Sequence, residues 1–444
     1  MKTIQYNQKE IKLYDTCDVL VVGGGTSGIV VALSALENNK SVIVLEKGIS
    51  LGGTSTRALV HPFMRTHVGS GILTKKLNEE FVEKFSPCSR YNGDSYALSF
   101  NCEDYMAFYD LKIREAGGKI YYDATFLDVI KENNKIKYAI VYMCNDFYAI
   151  EAKTYVDVTA EACVSKRAGI PLDMDGENHK HQSVSLRFEM ANLDYYKLCD
   201  FLRSINYQGF GIPQDATRLE FIRDKALFPY FEKAIEDKVI EEGDVRYIQG
   251  FCVPGKKAAM SFNCPQLPNI KDINTPEGLS FYASEGRFMI RRFSQFLIRY
   301  IPGFENAYVS KIADMLGVRE SVRIIGDYVI TEQDYLNRAR FEDGIAKADW
   351  YVDVHHDTEQ PEEDTQRYTP GEYYEVPYRS LISSHCDNLI VGGRHLSCSF
   401  RVQASVRIQA TLRDIAEVIG KACAYSIDHQ IDLNKIDGKI FKCK

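Results

Sequence analysis

The chain has 444 residues, 54 of them Lys or Arg and 61 Asp or Glu, which gives a net charge of −7 at pH 7. A protein without excess positive charge lacks the attraction on which nucleic-acid binding depends, so we expect no nucleic-acid partner. The length predicts two or three domains, and a hydrophobic content of 45% is sufficient for a large core.

The first elements predict a parallel βαβ unit. Residues 18–22 and 41–45 are short apolar runs typical of buried strands, and residues 29–36 between them are apolar on all sides, as in a buried helix. Residues 19–36 carry no charge and are long enough for a membrane span, but the glycines in their middle favour a strand, a turn and a helix. We therefore expect no membrane partner.

The middle of the chain predicts a helix and then a β-rich passage. The helix covers residues 103–116 and ends at a glycine pair. The strands predicted after it are 119–122, 126–130, 136–143 and 155–159. From about residue 171 to residue 377 the βα rhythm is lost, which predicts an inserted second domain whose acidic stretch 359–364 is a solvated loop.

The end of the chain is regular again. Residues 388–391 form a predicted strand that runs into Gly392 and Gly393. Beyond Ser405, which we expect to be the N-cap, apolar residues recur every three or four positions from Ile408 to Cys423. This spacing predicts one buried face of a helix.

Cysteines and the N-terminus predict the compartment. Twelve cysteines are present, but no C-x-x-C pair occurs, which favours reduced thiols over a disulfide framework or a zinc ribbon. The first fifteen residues are too polar for a secretory signal, so a cytoplasmic location is expected.

The main chemical signal is Gly23-x-Gly25-x-x-Gly28, between the first predicted strand and helix. Such glycines allow a tight turn and close approach of backbone to a pyrophosphate at the helix N-terminus. Glu46 follows the second strand, where its carboxylate can accept hydrogen bonds from ribose hydroxyls. A second glycine pair, Gly52-Gly53, predicts that the backbone approaches the ligand again beyond the ribose.

Several segments together resemble a known family. They are VVGGGTSG at 21–28, VLEKG at 44–48, LGGTSTRALVHPF at 51–63, GVRES at 317–321, NLIVGGRHLS at 388–397 and SVRIQ at 405–409. The chain resembles the FAD-dependent oxidoreductase family, often labelled xanthan-lyase-related, in the succinate dehydrogenase/fumarate reductase-like branch of the glutathione reductase superfamily.

This resemblance implies the fold and the cofactor. The fold class is α/β, with an FAD-binding Rossmann-like domain of the glutathione reductase type and an inserted mixed α+β substrate domain. The expected division is 1–175 and 375–444 for the FAD-binding domain and 176–374 for the insertion. The implied FAD-binding residues are Gly23, Gly25, Thr26, Ser27, Gly28, Glu46, Lys47, Gly52, Gly53, Thr54, Thr159, Ala160, Gly393, Arg394, Ser405, Val406 and Ile408.

The resemblance also suggests residues for the reaction. In succinate dehydrogenases and fumarate reductases an arginine at the position of Arg407 binds the substrate carboxylate. The histidine that is covalently linked to FAD in that branch aligns near Thr54, which cannot form the same bond, so we expect FAD to be non-covalent. His61 is a candidate acid or base because histidine titrates near neutral pH, and Arg57 and His395 complete the catalytic candidates.

Two departures from the family pattern stand out. The family usually has Asp-Ala-Thr-Gly-Asp-Gly where this chain has residues 157–162 without either glycine. The two added methyl groups put the position or affinity of FAD in question. The family's common Arg-Glu-Ser-Arg-Arg here has lost one arginine, at Val322.

Other motifs are weak or missing. Histidines and aspartates at 179–181 and 353–357 are metal-ligand types, but they do not form a cage by themselves, and no metal is expected. The chain has neither a second G-x-G-x-x-G nor a C-x-x-x-x-C, which excludes a disulfide reductase with its own NADPH domain.

We therefore expect an FAD-dependent oxidoreductase, a dehydrogenase or reductase, that transfers a hydride between a small polar substrate and flavin N5. A separate electron donor or acceptor is a possible partner, and the oligomeric state is open. The alternatives are a flavin-dependent lyase or glycan-modifying enzyme with transient redox, and a non-catalytic flavoprotein.

Overall fold

The computed structural model describes residues 10–69, 71–92, 97–177, 181–208, 220–267, 270–355 and 368–443. The predicted acidic loop at 359–364 lies outside the described residues.

Twenty strands and ten α-helices make up the described regular structure. The first ten strands are β1 Lys12–Val22, β2 Val42–Leu45, β3 Arg90–Asn92, β4 Ala97–Ser99, β5 Lys119–Tyr121, β6 Thr125–Glu132, β7 Lys135–Met143, β8 Asp146–Asp157, β9 Leu172–Asp173 and β10 Val184–Ser185. The others are β11 Phe188–Ala191, β12 Glu220–Ile222, β13 Gln249–Cys252, β14 Ala259–Phe262, β15 Gln266–Leu267, β16 Tyr308–Ile312, β17 Arg323–Ile324, β18 Gly344–Ala348, β19 Tyr374–Pro377 and β20 Leu389–Val391. The helices are α1 Thr26–Glu37, α2 Ile72–Glu80, α3 Cys102–Glu115, α4 Cys163–Ala168, α5 Tyr195–Ser204, α6 Phe228–Glu236, α7 Pro276–Tyr300, α8 Glu332–Leu336, α9 Phe400–Val406 and α10 Gln409–His429.

A seven-stranded sheet forms the base of the site. Its order is β5-β2-β1-β8-β7-β6. Strand β20 pairs with the second half of β8, on the same edge where β7 pairs with the first half. The pairs β1–β2, β1–β8, β2–β5 and β8–β20 are parallel, whereas β6–β7 and β7–β8 are antiparallel. The parallel strands have apolar residues on both faces because helices or other segments cover both sides of the sheet. Since these strands run in the same direction, their carboxyl ends meet at one edge of the sheet.

Strand β8 differs most from its prediction. The sequence predicted residues 155–159, but the strand covers Asp146–Asp157. Its first half is only partly buried and pairs with β7 across a hairpin at Cys144 and Asn145, both of which have positive φ. Only the fully buried second half has the continuous apolar character that the sequence reveals.

Helices α1 and α10 run side by side in the same direction. Ser34 of α1 donates a hydrogen bond of 2.6 Å to the carbonyl oxygen of Glu417 in α10. A Cβ atom at Gly420 would lie 2.5 Å from the Cβ of Ser34, so this glycine is what allows the two helices to pack so closely. As a result, the N-termini of both helices lie at the same end of the pair.

The region between residues 176 and 374 contains a second sheet. The five antiparallel strands follow the order β12-β13-β14-β11-β16, and the 25-residue helix α7 packs beside them. Helix α7 begins at Pro276 after Thr275, whose side chain accepts a hydrogen bond from Gly278 N. This Thr-Pro pair is an N-terminal helix signal that the sequence contained, although no helix was predicted there. The division into domains stays a prediction; β18 and β19 pair across residue 374.

The predicted α/β class, with its parallel Rossmann-like core, is confirmed. Residues 19–36 divide into the end of β1 and most of α1, as expected. In the described part of the chain, no helix is both long and apolar enough to cross a membrane. All twelve cysteines are free thiols.

Candidate functional site

The site begins where four parallel strands end. Gly23 follows β1 and donates its N–H to Leu45 O at the end of β2, at 2.8 Å. Val158 N donates to Val22 O at 3.0 Å, and Gly392 N donates to Asp157 O at 2.9 Å. These bonds align the loops after β1, β2, β8 and β20 along one edge, the position at which open α/β sheets bind ligands.

The three glycines of the first turn have different surroundings. A Cβ at Gly23, whose φ is +110°, would lie 2.5 Å from Val158 O, and a Cβ at Gly28 would lie 1.9 Å from Gly23 O. Both positions therefore require glycine for the fold itself. A Cβ at Gly25 would meet nothing within 4 Å. The backbone at Gly25 thus faces open space, which is the condition for a ligand to approach it closely.

Two helix N-termini point into this space. Helix α1 begins after Gly25 and helix α10 after Ile408; neither has a side-chain cap, and neither has an acidic residue in its first turn. Their first backbone N–H groups are therefore available, and each helix end carries a partial positive charge. The pair forms a favourable environment for the negative groups of a dinucleotide.

Gln409 holds the two helix ends together. Its Oε1 atom accepts hydrogen bonds from Thr26 Oγ1 at 2.8 Å and from Ser55 Oγ at 2.5 Å, and its Nε2 donates to Val60 O at 3.0 Å. Gln409 was not among the predicted site residues. It is the last residue of the SVRIQ segment at 405–409 that carried the family resemblance, and this is the sequence signal for it.

Glu46 and the second glycine loop complete the nucleotide end. The two carboxylate oxygens of Glu46 accept hydrogen bonds from Gly24 N at 2.9 Å and Gly48 N at 2.7 Å, and Arg57 Nη1 lies 3.3 Å from Oε1. A carboxylate offers about four acceptor positions, so room remains for ribose hydroxyls. Gly53 lies so close to the first turn that its Cβ would be 3.0 Å from Gly25 Cα.

The altered 157–162 segment keeps the backbone of a glycine-containing turn. Ala160 and Ala162 have φ of 69° and 51°, left-handed values that glycine adopts more readily. Asp157 anchors the segment by accepting hydrogen bonds from Ser165 N and Oγ and from Thr159 Oγ1. Burial raises the pKa of this carboxyl, but nearby His395 and these hydrogen bonds outweigh burial and lower the pKa to about 2.

One cavity of about 1690 Å³ connects the nucleotide end to the inserted region. This volume exceeds the roughly 300–1,000 Å³ of ordinary ligand pockets, which is consistent with space for a dinucleotide and a second molecule. The predicted residues that line it are Gly23, Gly25, Thr26, Ser27, Glu46, Lys47, Gly53, Thr54, Arg57, Thr159, Ala160, Gly393, Arg394, Arg407 and Ile408.

Six predicted residues do not line the cavity. Gly28 and Gly52 are buried. His61, His395, Ser405 and Val406 expose 1% or less of their surface, because each is packed in the core. The expectation that Ser405 caps a helix is wrong. Ser405 lies inside α9, its hydroxyl donates to Trp350 O at 2.6 Å, and the N-cap of α10 is Ile408.

His61 lies in a buried group of charges rather than in the cavity wall. Its Nε2 atom is 4.0 Å from Glu189 Oε1 and has no hydrogen-bond partner. Burial lowers the pKa of His61 well below its usual value, and the positive charges of Arg187 and Lys256 lower it further. The imidazole is therefore neutral at pH 7. His395 has a comparable position, with Nε2 3.4 Å from Asp157 Oδ1.

Arg407 lines the cavity beside a buried dyad. Its Nη2 atom donates to the backbone oxygen of Asp353 at 2.9 Å and lies 3.2 Å from Asp353 Oδ2. His355 Nε2 lies 3.2 Å from the other carboxylate oxygen of Asp353. Burial and the positive charge of Arg319 lower the pKa of His355 to about 4, despite the nearby Asp353 carboxylate. The sequence suggested metal-ligand types at 353–357, whereas His355 and Asp353 form a hydrogen-bonded pair.

No group of three or more potential metal-ligating side chains occurs within the described ranges. His179, His356 and Asp357, which were considered as metal-ligand types, lie outside those ranges.

The far end of the cavity is rich in arginine and aromatic side chains that were not predicted. These lining residues are Arg187, Arg223, Arg246, Tyr247, Phe251, Arg319, Trp350 and Tyr351. Phe251 lies in β13, and the others lie in loops after β10, β12, β16 and β18 and before β13. Their separation in sequence hides the cluster. The one local signal was Arg187 at a polar position of the alternating segment 184–190.

The comparisons with known proteins identify the family of this chain. The model of the family described as FAD dependent oxidoreductase matches residues 18–444. The NADH:acrylate oxidoreductase of Vibrio harveyi is 39% identical over 56 residues, which is 13% of this chain and 5% of that protein. The chain thus spans a small part of that curated relative's length.

Solved structures with a similar chain path include a reductase-like protein, a dehydrogenase and a monooxygenase. The geranylgeranyl bacteriochlorophyll reductase-like protein of Thermoplasma acidophilum has a TM-score of 0.46 at 14% identity, covering 94% of this chain and 80% of that one. The L-proline dehydrogenase of P. horikoshii has a TM-score of 0.43 at 11% identity, covering 97% of each chain. The p-nitrophenol 4-monooxygenase of Pseudomonas putida has a TM-score of 0.47 at 11% identity, covering 94% and 81%.

Proposed function

The chain belongs to the FAD dependent oxidoreductase family and uses FAD, and from this premise we propose that it transfers a hydride between a small polar substrate and N5 of non-covalently bound FAD. One observation supports this most directly. A single cavity of about 1690 Å³ joins the glycine turns to the arginine-rich end, so a cofactor and a substrate can share one space.

The residues of the nucleotide end fit an extended FAD. The open space at Gly25 and the uncapped N-terminus of α1 suit the pyrophosphate, and Glu46 suits the ribose. Thr54 lines the cavity where a covalently linked histidine would stand in the branch that the sequence resembles, which supports non-covalent binding. When bound, FAD supplies the ring that accepts or donates the hydride.

The N-terminus of α10 and Arg407 have the complementary roles in this proposal. The uncapped helix end stabilises negative charge on a bound ligand without a basic side chain. Arg407, oriented by Asp353, binds a polar or negative group of the substrate. Arg57 is held between Glu46 and Asp314 and braces the nucleotide end, while His61 and His395 position the wall from behind.

The name of one curated relative guides the choice of substrates. The name of the Vibrio harveyi relative contains an enoate, acrylate, and an electron donor, NADH. We propose to include enoates beside hydroxy acids and sugars, and to test a separate electron donor or acceptor as a partner. Placement in the succinate dehydrogenase/fumarate reductase-like branch is part of the same proposal.

Anaerobic flavin spectroscopy tests the function. The purified protein is loaded with FAD and mixed without oxygen with hydroxy acids and sugars, and the reduced form is mixed with enoates. We expect a substrate to cause net bleaching of the oxidised flavin, or an enoate to restore the flavin absorbance by oxidising the reduced form. Turnover of a sugar without net bleaching would instead support the lyase or glycan-modifying alternative, and failure to take up FAD would refute both.

A further inference from the structure

Arg187 is a buried cation on the cavity wall without a counter-ion among the described residues. It exposes 2% of its surface and follows β10, next to β11. Its Nε and Nη2 atoms are buried and have no hydrogen-bond partner. The guanidinium carbon lies 5.9 Å from the centre of the Phe251 ring, which also lines the cavity.

The other cavity arginines that the predictions emphasised are all paired. Arg57 lies between Glu46 and Asp314, Arg394 pairs with Glu161, and Arg407 pairs with Asp353. Arg394 and Arg407 each leave only Nε without a hydrogen-bond partner, whereas Arg187 leaves both Nε and Nη2 and has no acid paired with it among the described residues.

Glu189, two residues along, forms no ion pair with Arg187, although its charge raises the pKa of Arg187. One carboxylate oxygen of Glu189 is instead bound by Lys256 Nζ at 2.8 Å. Lys256 also lies 3.0 Å from Glu103. A buried charge without a partner is strongly unfavourable, and such groups are normally paired with an opposite charge.

We propose that Arg187 binds a carboxylate of the substrate, at a second anchor separate from Arg407. This inference rests on the proposed function and names the substrate class as carboxylates. The guanidinium fork matches a carboxylate with two parallel hydrogen bonds, and two of its donor atoms are free for that purpose. The Phe251 ring flanks the fork and limits the approach of water.

Arg187 remains charged at neutral pH. Burial lowers the pKa of Arg187, but only to about 10. A neutral hydroxyl or amide would leave this charge uncompensated, whereas an anion would remove the cost.

The first test compares stabilities of the FAD-loaded protein without substrate. Arg187→Met removes an unpaired charge, so we expect its Tm to equal or exceed that of the wild type. Arg323→Met is the matched control, because buried Arg323 is paired with Glu320 at 2.6 Å and Asp173 at 2.7 Å, and we expect its Tm to fall by about 5 °C. A loss of Tm in Arg187→Met as large as in the control would show a structural role and overturn the proposal.

The second test measures binding of defined probes to the FAD-loaded protein. Benzoate and butyrate are compared with benzamide and butyramide at equal ionic strength, by Tm and by the change in flavin absorbance. We expect both carboxylates to bind the wild type more tightly than their amides, and Arg187→Met to weaken carboxylate binding by about 10- to 100-fold. Arg187→Gln gives the same comparison if the methionine variant does not fold. Equal binding of carboxylates and amides by the wild type, or carboxylate binding unchanged in the variants, overturns the proposal.

FAD affinity separates this inference from a role of Arg187 toward the cofactor. We expect the FAD Kd of Arg187→Met to stay within about twofold of the wild type, and a loss of tenfold or more would assign Arg187 to FAD instead. If substrates reduce the flavin but carboxylates bind the Arg187 variants as tightly as the wild type, only this inference fails. If no substrate on the panel reduces the flavin and no enoate reoxidises it, the proposed function fails whatever the result at Arg187.

Discussion

The nucleotide end and the arginine-rich end of the cavity differ in the hydrogen bonding of their buried polar side chains. At the nucleotide end the buried carboxylates accept hydrogen bonds, since Glu46 accepts two from the backbone and Asp157 is bound by Ser165 and Thr159. At the arginine-rich end, buried donors on Arg187, Arg407 and Trp350 have no hydrogen-bond partner. In the proposed function, the first end binds its ligand with backbone N–H groups and helix dipoles, and the second end binds with side-chain donors.

The difference reflects what each end must recognise. Backbone N–H groups at a helix end bind phosphates without any free charged side chain, so the nucleotide end can be completed during folding. A small substrate offers few contacts, and free buried donors give it orientation and specificity at a cost to stability. Variants at the two ends should therefore differ in whether they damage the fold or the binding of ligands.

The largest expected effect separates two glycines of the same turn. Gly28→Ala places a Cβ 1.9 Å from Gly23 O, and we expect a loss of about 3 kcal/mol or more in the free energy of unfolding. Gly25→Ala meets no protein atom within 4 Å, so we expect a stability change under about 1 kcal/mol but an FAD Kd raised by about tenfold or more. Chemical denaturation and FAD titration measure both. Unchanged FAD binding in Gly25→Ala would contradict the position proposed for the cofactor.

The arginine-rich end should lose stability on mild acidification. The pKa of His355 is lowered to about 4 in the folded protein, against about 6.5 in an unfolded chain. Because only the unfolded chain takes up this proton between those values, stability is complete above pH 6.5 and falls by about 3 kcal/mol as the pH approaches 4. Urea denaturation across this range should show a shallower pH dependence in His355→Gln. An identical slope in wild type and variant would contradict the burial of a neutral imidazole.

The nucleotide end should respond only to stronger acid. The pKa of Asp157 is about 2 when folded and about 3.9 when unfolded. Its contribution of about 2 kcal/mol is therefore present above pH 4 and is lost as the pH falls toward 2. In Asp157→Asn we expect lower stability at pH 7 and a flatter curve below pH 4. If the variant keeps the wild-type pH dependence below pH 4, Asp157 does not make this contribution.

The smallest effect concerns the altered turn. Ala160 has φ of 69° and lines the cavity, so Ala160→Gly should relieve a left-handed conformation and stabilise the fold by about 0.5–1 kcal/mol. Ala162→Gly is the matched control. Its φ is 51° but its methyl group is fully buried, so the lost packing should cancel the relief. FAD affinity that rises in Ala160→Gly would show that the methyl group crowds the cofactor.

The sequence predicted the nucleotide end in detail because its signals are local. A strand, a glycine turn and a helix follow one another within residues 12–37, and Glu46 comes directly after the next strand. Steric demands such as those at Gly23 and Gly28 select a single residue type, and that selection is visible in one sequence. The exception was the start of helix α10, which was predicted after Ser405 because serine is a common N-cap residue. Ser405 instead lies inside the short helix α9, and α10 begins after Ile408.

The arginine-rich end was decided by tertiary structure alone. Arg187, Arg319 and Arg407 come from three distant parts of the chain and share one cavity because the five-stranded sheet and the start of α10 face it together. Whether a buried arginine forms an ion pair depends on contacts between residues that are hundreds of positions apart. Sequence spacing does not reveal such contacts. Local steric demands and hydrophobic periodicity thus determined the nucleotide end. Long-range packing decided which charged side chains of the arginine-rich end stay unpaired and available to a ligand.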